Sequence, residues 1–343
     1  MVTISFKPKQ VTKKLLETLP ERAQDVLIKR YGLGKSTKKM TLEAIGKEYG
    51  ITRERVRQIE EYSLSNIRKS DEFNNSTIVF DELHTVINEL GGVISEDELL
   101  KNLAKETSTQ NHLHFLLVLG DPFTKLKEND SFTHRWSVDS ALAEEIHNSM
   151  RKLYDNLSKD EIITESELVD TFLGYLKGVS DKYKNEEILK RWLSMSKKIS
   201  QNPLGEWGRA ESPNINVKGM RDYAFLVIRR HGSPIHFQEV AETITKLFGK
   251  KAHVATCHNE LIKDKRFVLV GRGLYALREW GYLSGVVRDV IAEILKKHGP
   301  LTKEEIIDKV LKERYVKENT ILVNLQNAKH FKKDAKGRYS LVA

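Results

Sequence analysis

Apolar and polar residues follow a helical period through residues 41–68, and this pattern predicts two helices joined by a tight turn. Thr41 and Thr52 are suited to cap the two helices. Gly50 is suited to end the first, because glycine adopts the left-handed conformation at low cost. The residues expected to face inward, with Ile51 between the helices, are Leu42, Ile45 and Tyr49, then Val56, Ile59 and Tyr62. The segment is therefore predicted to be a helix-turn-helix.

The inward positions leave four polar residues facing outward from the first turns of the second helix. These residues are Arg53, Glu54, Arg57 and Gln58. A recognition helix presents such positions to base edges in the major groove. Arginine suits guanine, glutamate accepts from the amino group of cytosine, and glutamine suits adenine. We expect the four residues to read bases; the alternative is a solvated amphipathic helix whose charges have no role.

The same segment resembles region 4 of the primary, sigma-70 family of bacterial sigma factors. The resemblance runs from Leu19 to Arg68. It is carried by the helical stretch at 19–33 and by the run Thr-Arg-Glu-Arg-Val-Arg-Gln-Ile-Glu at 52–60. It implies recognition of the minus-35 promoter element in the major groove and docking on the flap of RNA polymerase.

The resemblance also implies roles for single residues. It places Arg53, Glu54 and Gln58 at base edges and puts Arg55 and Arg57 near phosphates. Arg57 also lies on the outward face of the helix. We therefore keep it as a predicted base reader that lies close to the DNA backbone. The residues expected to contact the DNA backbone are Thr41, Thr52, Arg55 and Arg68.

Two departures limit the analogy with a working sigma factor. Tyr62 stands where primary sigma factors usually carry a basic residue, so the sequence preference is expected to differ. Before residue 19 we expect only a short basic arm, and no later segment resembles the region that captures the downstream promoter element. We therefore expect a protein that does not open promoters alone but adds an upstream contact, bridges polymerase to DNA or competes with a sigma factor.

After residue 70 the pattern repeats about every 65 to 70 residues. Each unit is predicted to contain an amphipathic helix, a capped second helix, a third helix and two short strands, which is the winged-helix design. The predicted second strands share an aromatic residue at the same place: Trp136, Trp207, Tyr275 and Tyr339. The expected fold is mainly α, a sigma region 4-like helix-turn-helix followed by four tandem winged-helix modules. The predicted domains are 1–70, 71–140, 141–210, 211–282 and 283–343.

The third unit resembles the HARE-type helix-turn-helix module. The resemblance is carried by residues 223–241 and 267–277, and residues 284–343 share it less strongly. That family occurs in the delta subunit of bacterial RNA polymerase, in chromatin proteins and beside restriction enzymes. The resemblance implies a nucleic-acid or transcription setting and no single activity.

In a winged helix the third helix enters the groove and the hairpin wing reaches the backbone, and the two basic C-terminal modules offer such surfaces. Glycines 271 and 273 are expected to form a tight hairpin tip that lies close to phosphates. The predicted secondary DNA contacts are Lys250, Lys251, His253, Thr256, Asn259, Lys263, Arg272, Lys317, Asn319, Thr320, Lys332, Lys333 and Arg338. The helix at 109–119 carries almost no positive charge, so we expect it to pack against another domain or a protein partner.

The uneven charge supports this division of roles. The chain of 343 residues has a net charge of +9, with 16 Lys/Arg against 8 Asp/Glu in residues 1–70, 16 against 25 in 71–210, and 25 against 15 in 211–343. Basic surfaces are drawn to duplex DNA by counterion release. The two ends are therefore the DNA-binding candidates, and the acidic middle is expected to be a spacer, a protein-contact block or simply a solvated surface.

Catalytic and cofactor motifs are not found in the sequence. There is no phosphate-binding glycine loop followed by Lys-Ser/Thr, and no His-Glu-x-x-His helix. His253, Cys257 and His258 share one helix but lack a fourth zinc ligand, so we expect no metal site and a Cys257 buried in the core. We predict no enzyme activity and no cofactor or small-molecule substrate. With no apolar run near 20 residues, no signal peptide and a single cysteine, a cytoplasmic location is expected.

The sequence thus favours a sequence-specific, sigma-like DNA-binding transcription factor. It is expected to recognise a minus-35-like element through the helix at 52–62 and to contact RNA polymerase. Two alternatives remain open. One is a delta-like polymerase accessory or phage regulator that acts mainly by protein contacts; the other is the DNA-recognition component of a restriction or repair system.

Overall fold

The computed structural model describes residues 3–342 and shows a mainly helical chain with small sheets. The chain divides into two compact units. The first comprises the chain up to residue 200 together with 207–210, and the second comprises 201–206 together with the chain from 211 onward. The predicted class, mainly α with small hairpins, is confirmed.

The first unit begins with five helices: α1 (Pro8–Glu17), α2 (Glu21–Tyr31), α3 (Leu42–Tyr49), α4 (Arg53–Arg68) and α5 (Asp71–Asn75). The hydroxyl of Thr41 accepts a hydrogen bond from the Ala44 N–H at 3.1 Å, and that of Thr52 accepts from the Arg55 N–H at 3.2 Å. Gly50 ends α3 with a φ of 67°. The predicted helix ends of the helix-turn-helix are confirmed.

One predicted inward residue of α4 faces solvent instead. Tyr62 is 69% exposed, and the adjacent Ser63 is fully buried, with its hydroxyl donating to the Ile59 carbonyl at 2.6 Å. The buried stripe of α4 consists of Val56, Ser63 and Ile67. These positions lie seven and four residues apart and share one face at 3.6 residues per turn, whereas residue 62 lies on another face. The expectation that Tyr62 packs inward was wrong. It assumed that an aromatic residue is buried in preference to a serine such as Ser63.

The next part of the first unit contains three helices and a three-stranded sheet: α6 (Thr77–Glu89), β1 (Val93–Ser95), α7 (Glu96–Leu103), α8 (Thr107–Leu119), β2 (Thr124–Leu126) and β3 (Arg135–Ser137). The sheet has the order β1-β3-β2 and is antiparallel, with Trp136 opposite both Ile94 and Lys125. The Ser95 hydroxyl caps α7 by accepting from the Glu98 N–H at 3.3 Å. This arrangement is the predicted winged-helix pattern.

Helix α1 replaces the short basic arm that was expected before residue 19. Leu15 and Leu16 of α1 enter the same core as Leu113 and Leu116 of α8, and Leu15, Leu113 and Leu116 are fully buried. A free arm would leave these leucines in water, whereas packing removes their apolar surface from solvent. The prediction of a bare arm was wrong, because it weighed the lysines of the segment above the leucines.

The last part of the first unit repeats the pattern with α9 (Ser140–Asn156), α10 (Glu165–Tyr175), a 3-10 turn (Asp181–Tyr183), α11 (Glu186–Leu193), β4 (Ile199–Gln201) and β5 (Trp207–Arg209). Strands β4 and β5 form a two-stranded sheet. Thr164 and Glu167 form a capping box at the start of α10, in which each side chain accepts from the other residue's backbone N–H.

The second unit holds two further helix-and-hairpin repeats. The first contains α12 (Met220–His231), β6 (Ile235–His236), α13 (Phe237–Phe248), α14 (Val254–Lys263), β7 (Phe267–Gly271) and β8 (Leu274–Leu277), followed by a 3-10 turn (Arg278–Trp280). The second contains α15 (Val287–His298), α16 (Lys303–Glu313), α17 (Glu318–Leu325), β9 (Phe331–Lys333) and β10 (Tyr339–Leu341). The four aromatic residues predicted to recur all lie in the second strand of a hairpin, in β3, β5, β8 and β10.

Candidate nucleic-acid interface

A close backbone approach sets the angle between α3 and α4. A Cβ atom added to Gly46 of α3 would lie 2.6 Å from the carbonyl oxygen of Ile51, which leads into α4. Val26, Ile45 and Val56 form the small core between the helices, and all three are fully buried. Sequence reasoning identified Gly50 as the turn glycine and missed Gly46. Its only signal was a glycine in the interior of a helix, where glycine is otherwise unfavourable.

The four predicted base readers lie together on α4, and each of them is exposed. Two of them pair with each other: Arg57 Nε lies 2.9 Å from Glu54 Oε2, and Arg57 Nη2 lies 2.6 Å from Glu54 Oε1. Arg57 also donates to Glu61 one turn later. The hydrogen bond from Arg57 lowers the pKa of the exposed Glu54 carboxyl. The Glu54 carboxylate therefore stays ionised at neutral pH, and it is the partner of Arg57 in this structure.

A second pair occupies the adjacent strip of α4. Arg55 Nη1 donates to Gln58 Oε1 at 3.1 Å. Arg53, at the first position of the helix, is exposed and has no hydrogen-bond or ion-pair partner among residues 3–342. The beginning of α4 thus presents one free guanidinium and two short-range pairs to solvent.

The predicted backbone contacts do not all lie beside these readers. Thr41 and Thr52 are exposed at the starts of α3 and α4, but their hydroxyl oxygens already serve as N-caps. Arg68 lies at the far end of α4, where its Nε and Nη2 donate to the carbonyls of Leu119 and Val118 at 3.0 and 2.8 Å. Arg68 therefore satisfies the C-terminal end of α8. We leave it out of the proposed interface.

Helix α8 packs against the helix-turn-helix domain. Nearly all of its residues from Asn111 to Leu119 are buried, and Phe115 makes an edge-on contact with Tyr31 at 5.1 Å between ring centroids. The side-chain amide of Asn111 donates to the carbonyls of Gly32 and Thr37 at 3.0 and 2.9 Å. The third helix of this module is thus covered by the domain at 19–70, in agreement with the expectation that it packs rather than reads DNA.

The residues predicted for secondary contacts in the second unit are all exposed. The third helix was predicted to begin at Lys250, but α14 begins at Val254, so Lys250, Lys251 and His253 lie before it. Lys250 Nζ lies 4.6 Å from the ring centroid of Tyr223. At the wing tip Arg272 has a φ of 45°, and among residues 3–342 it is the one non-glycine residue with a positive φ. A Cβ on Gly271 would clash with the Tyr315 carbonyl oxygen, so part of the tip packs against the last module of this unit. At the same tip, the side chain of Arg272 is exposed to solvent.

The last module presents its predicted contacts on α17 and on the β9–β10 hairpin. Lys332 and Lys333 are exposed on β9, and Arg338 Nε pairs with Asp334 Oδ2 at 3.1 Å across the turn. Lys317, Asn319 and Thr320 lie at the start of α17 and are exposed.

Other kinds of site find little support in the described residues. Cys257 is fully buried, as expected, and burial raises the pKa of its thiol to about 11. His258 stacks on Phe237 at 4.1 Å. Within residues 3–342, no group of three or more His, Cys, Asp or Glu side chains is placed to hold a metal ion. In the same range, every helix is too short or too polar to cross a bilayer.

Comparison with known proteins identifies two regions. Residues 15–69 match the family model described as sigma-70, region 4. Residues 219–280 match the HARE-HTH model, a helix-turn-helix domain whose description names ASXL and restriction endonuclease proteins. These regions contain the helix-turn-helix and the first repeat of the second unit. Both are DNA-binding helix-turn-helix types.

Two sigma factors match a stretch of about 60 residues of this chain. The chain is 45% identical over 60 residues to the RNA polymerase sigma factor SigA of a Bacillus species and 44% identical over 59 residues to the RNA polymerase sigma factor RpoD of Neisseria gonorrhoeae. The matches cover 18% and 17% of this chain, and 16% and 9% of the two relatives. The chain thus resembles sigma-70 region 4 at 15–69 and the HARE-type helix-turn-helix at 219–280.

Proposed function

We propose that this protein is a sequence-specific DNA-binding transcription factor whose helix α4 reads a minus-35-like promoter element. The observation that carries the proposal is the presentation of Arg53, Glu54, Arg57 and Gln58 together, all exposed, on a capped helix held by the buried core of Val26, Ile45 and Val56. Such a helix brings base-reading groups to the major groove without first having to fold.

The side-chain pairs on α4 are compatible with base reading. An exposed ion pair such as Glu54–Arg57 contributes little to stability, because water screens it. A guanidinium that makes two hydrogen bonds to guanine gains more from the correct base than it loses by leaving such a pair. With a wrong base, neither the Glu54–Arg57 side chains nor the base edge would have well-matched hydrogen-bond partners. This difference favours binding to the correct base.

Basic residues in the second unit supply secondary backbone contacts in this proposal. The exposed cations beside α14 and α17 and on the two hairpins neutralise phosphates, and the tandem arrangement lets weak contacts add through effective concentration. Lys332 and Lys333 are candidates on the second hairpin, because both are exposed and neither has an ion-pair partner among residues 3–342. Arg272 is a further candidate on the first wing.

RNA polymerase is the proposed protein partner. The support is the match of residues 15–69 to sigma-70 region 4 and the names of the two relatives, both RNA polymerase sigma factors. The contact with α8 occupies the face of this domain formed by α1, α2 and the end of α4. Polymerase therefore binds either the surfaces that α8 leaves open or a form in which α8 has moved away.

The test is selection of bound duplexes from a random pool, carried out with the full chain at two salt concentrations. The wild type is expected to yield one preferred motif. The double variant Arg53→Ala with Glu54→Ala is expected to lose that preference and retain non-specific binding, since its net charge is unchanged. The matched control is Lys13→Ala with Glu17→Ala, which removes an exposed ion pair of α1 and should retain the motif.

Two results would count against the proposal. Unchanged preference in the Arg53/Glu54 variant would remove these residues from base reading. Absence of any enriched motif in the wild type, with a weak dependence of binding on salt, would favour the polymerase accessory that acts by protein contacts. A weak salt dependence means that few phosphates are neutralised.

A further inference from the structure

A small cavity in the first unit lies where two of its modules meet. Its floor is built by backbone pairing between the loop at 131–133 and residues 195–197. The Thr133 N–H donates to the Met195 carbonyl at 3.0 Å, and the Lys197 N–H donates to the Ser131 carbonyl at 2.8 Å. The cavity has a volume of about 210 Å³. Its lining residues Ser131, Phe132 and Ser196 belong to this paired backbone.

The cavity carries an excess of positive charge inside a part of the chain that is acidic overall. Arg151 and Lys198 line it, and Asp155 is its one acidic lining residue. The Lys198 ammonium is half-buried and has no hydrogen-bond or ion-pair partner among residues 3–342. Arg151 donates to the neutral side-chain oxygen of Asn148 at 2.7 Å. Within the described residues, neither lining cation is paired with a carboxylate.

A third cation, deeper in the module, is also without a carboxylate. Arg135 is only 4% exposed, and its partners in the described chain are neutral: His147 Nε2 at 2.7 Å and the carbonyls of Thr133 and Lys127 at 2.9 and 3.3 Å. Its guanidinium lies 4.9 Å from the ring centroid of Phe132, a wall of the cavity. A buried cation that lacks an opposite charge is unfavourable, so an anion nearby would stabilise it.

The rings and hydroxyl groups of the cavity suit an anion that also makes hydrogen bonds. Arg151 and Arg135 lie near the same Phe132 ring, at 5.9 and 4.9 Å from its centroid. The Ser196 hydroxyl oxygen accepts from the N–H groups of Lys198 and Ile199 at 3.1 and 3.0 Å, which leaves its hydrogen available to donate. Guanidinium, ammonium and hydroxyl donors around one small space are the groups that hold phosphate oxygens.

We propose that this cavity binds a phosphoryl group, held by Arg151 and Lys198 with the Ser196 hydroxyl as an additional donor and with Arg135 as a buried electrostatic support. The phosphoryl group comes from a small phosphorylated ligand or from the backbone of bound nucleic acid. The site is separate from the base-reading residues of α4.

The pKa of His147 can be used to detect whether an anion is bound in the cavity. Burial, together with the charges of Arg135 and Arg151, lowers the pKa of His147 to about 4. A bound anion offsets part of the repulsion from those two cations, so it raises this pKa.

The test uses the full chain with inorganic phosphate as the probe, at ionic strength held constant with sodium chloride. Phosphate is expected to raise the melting temperature and to shift the NMR titration of His147 upward. Both responses should disappear in Arg151→Gln with Lys198→Gln. They should persist in Lys152→Gln with Lys159→Gln, which removes two exposed positive charges outside the cavity. No response to phosphate in the wild type, or an equal response in the Arg151/Lys198 variant, would overturn the proposal.

A second arm replaces phosphate with a short duplex and measures its affinity for the same variants. If the duplex binds at least about fivefold more weakly to the Arg151/Lys198 variant than to the Lys152/Lys159 variant, the phosphoryl group belongs to the nucleic-acid backbone. If duplex binding is equal while the phosphate response is lost, the ligand is a small phosphorylated molecule. Either result supports a phosphoryl site and says where its ligand comes from.

Discussion

The indole Nε1 of Trp136 donates a hydrogen bond to Oε2 of Glu96 at 3.0 Å. This bond joins the second strand of the hairpin to the first residue of the module's second helix, α7. The next module repeats it, because Trp207 Nε1 donates to Glu165 Oε2 at 3.2 Å and Glu165 is the first residue of α10. The recurring tryptophan therefore does more than fill the core: it fixes the wing strand against the start of the second helix in both acidic modules.

Glu96 lies at the centre of a charged cluster. Substituting it tests whether this cluster stabilises the first unit. Burial acts to raise its pKa, but hydrogen bonds from His114 and Lys125 outweigh burial and lower the pKa to about 2. A lowered pKa stabilises the folded state above the unfolded value near 4.5, and this stabilisation is lost as the pH falls towards 2. We expect Glu96→Gln to lower the free energy of unfolding by about 1–3 kcal/mol at pH 7.

The measurement is urea unfolding of both proteins at pH 7 and pH 3. The difference between wild type and Glu96→Gln should be smaller at pH 3, because Glu96 is then largely protonated in the unfolded state while it is still mostly ionised in the folded state. Asp97→Asn is the control, since Asp97 is adjacent but exposed. An equal difference at both pH values would mean that the ionised carboxylate does not stabilise this module.

Much of the helix-turn-helix could be predicted because its signals are local. Thr41, Gly50 and Thr52 act on the backbone within three or four residues of themselves, and caps of this kind can be recognised from residue type and spacing alone. The apolar spacing of Ile45 and Val56 likewise located the core. The start of the recognition helix, and therefore the candidate readers, followed from these positions.

What could not be predicted depends on contacts between distant parts of the chain. Arg68 was predicted to contact the DNA backbone, yet it lies at the end of α4 and its guanidinium donates to carbonyls about fifty residues away. The buried Ser63 depends on a hydrogen bond to its own helix and on close packing, which residue type does not indicate. The pairing of Glu54 with Arg57 was also missed, although its spacing of three residues is typical of helical ion pairs.

Asn111 tests the contact between α8 and the helix-turn-helix domain. Its buried amide donates to two carbonyls in the loop after α2, so Asn111→Ala leaves both carbonyls without this partner. We expect the free energy of unfolding to fall by about 1–3 kcal/mol and hydrogen exchange to rise in residues 32–40. Gln110→Ala is the control, because Gln110 donates to Ala104 within its own module. Unchanged exchange at 32–40 would show that the contact does not order this loop.

Tyr62 tests the departure from the sigma-factor pattern. It is exposed on α4 one turn beyond Gln58, at a position where a cation would reach a phosphate if α4 lies in the groove. We expect Tyr62→Lys to strengthen duplex binding at low salt and to make the slope of log affinity against log salt steeper by about 0.9. Ile78→Lys adds the same charge at an exposed position of α6 and should leave the slope unchanged. Equal effects of the two variants would argue against α4 lying close to DNA.

Gly46 and Gly50 separate two reasons for glycine in the helix-turn-helix. Gly50 has a φ of 67° with open space around the position of a Cβ, so Gly50→Ala costs only the strain of the left-handed conformation, about 1 kcal/mol. Gly46 is helical, but a Cβ there would lie 2.6 Å from the Ile51 carbonyl oxygen, and relief of that clash must move the start of α4. We expect Gly46→Ala to weaken specific duplex binding more than Gly50→Ala, as measured by affinity for the selected motif relative to a scrambled duplex. Equal loss in the two variants would show that the angle between α3 and α4 does not control base reading.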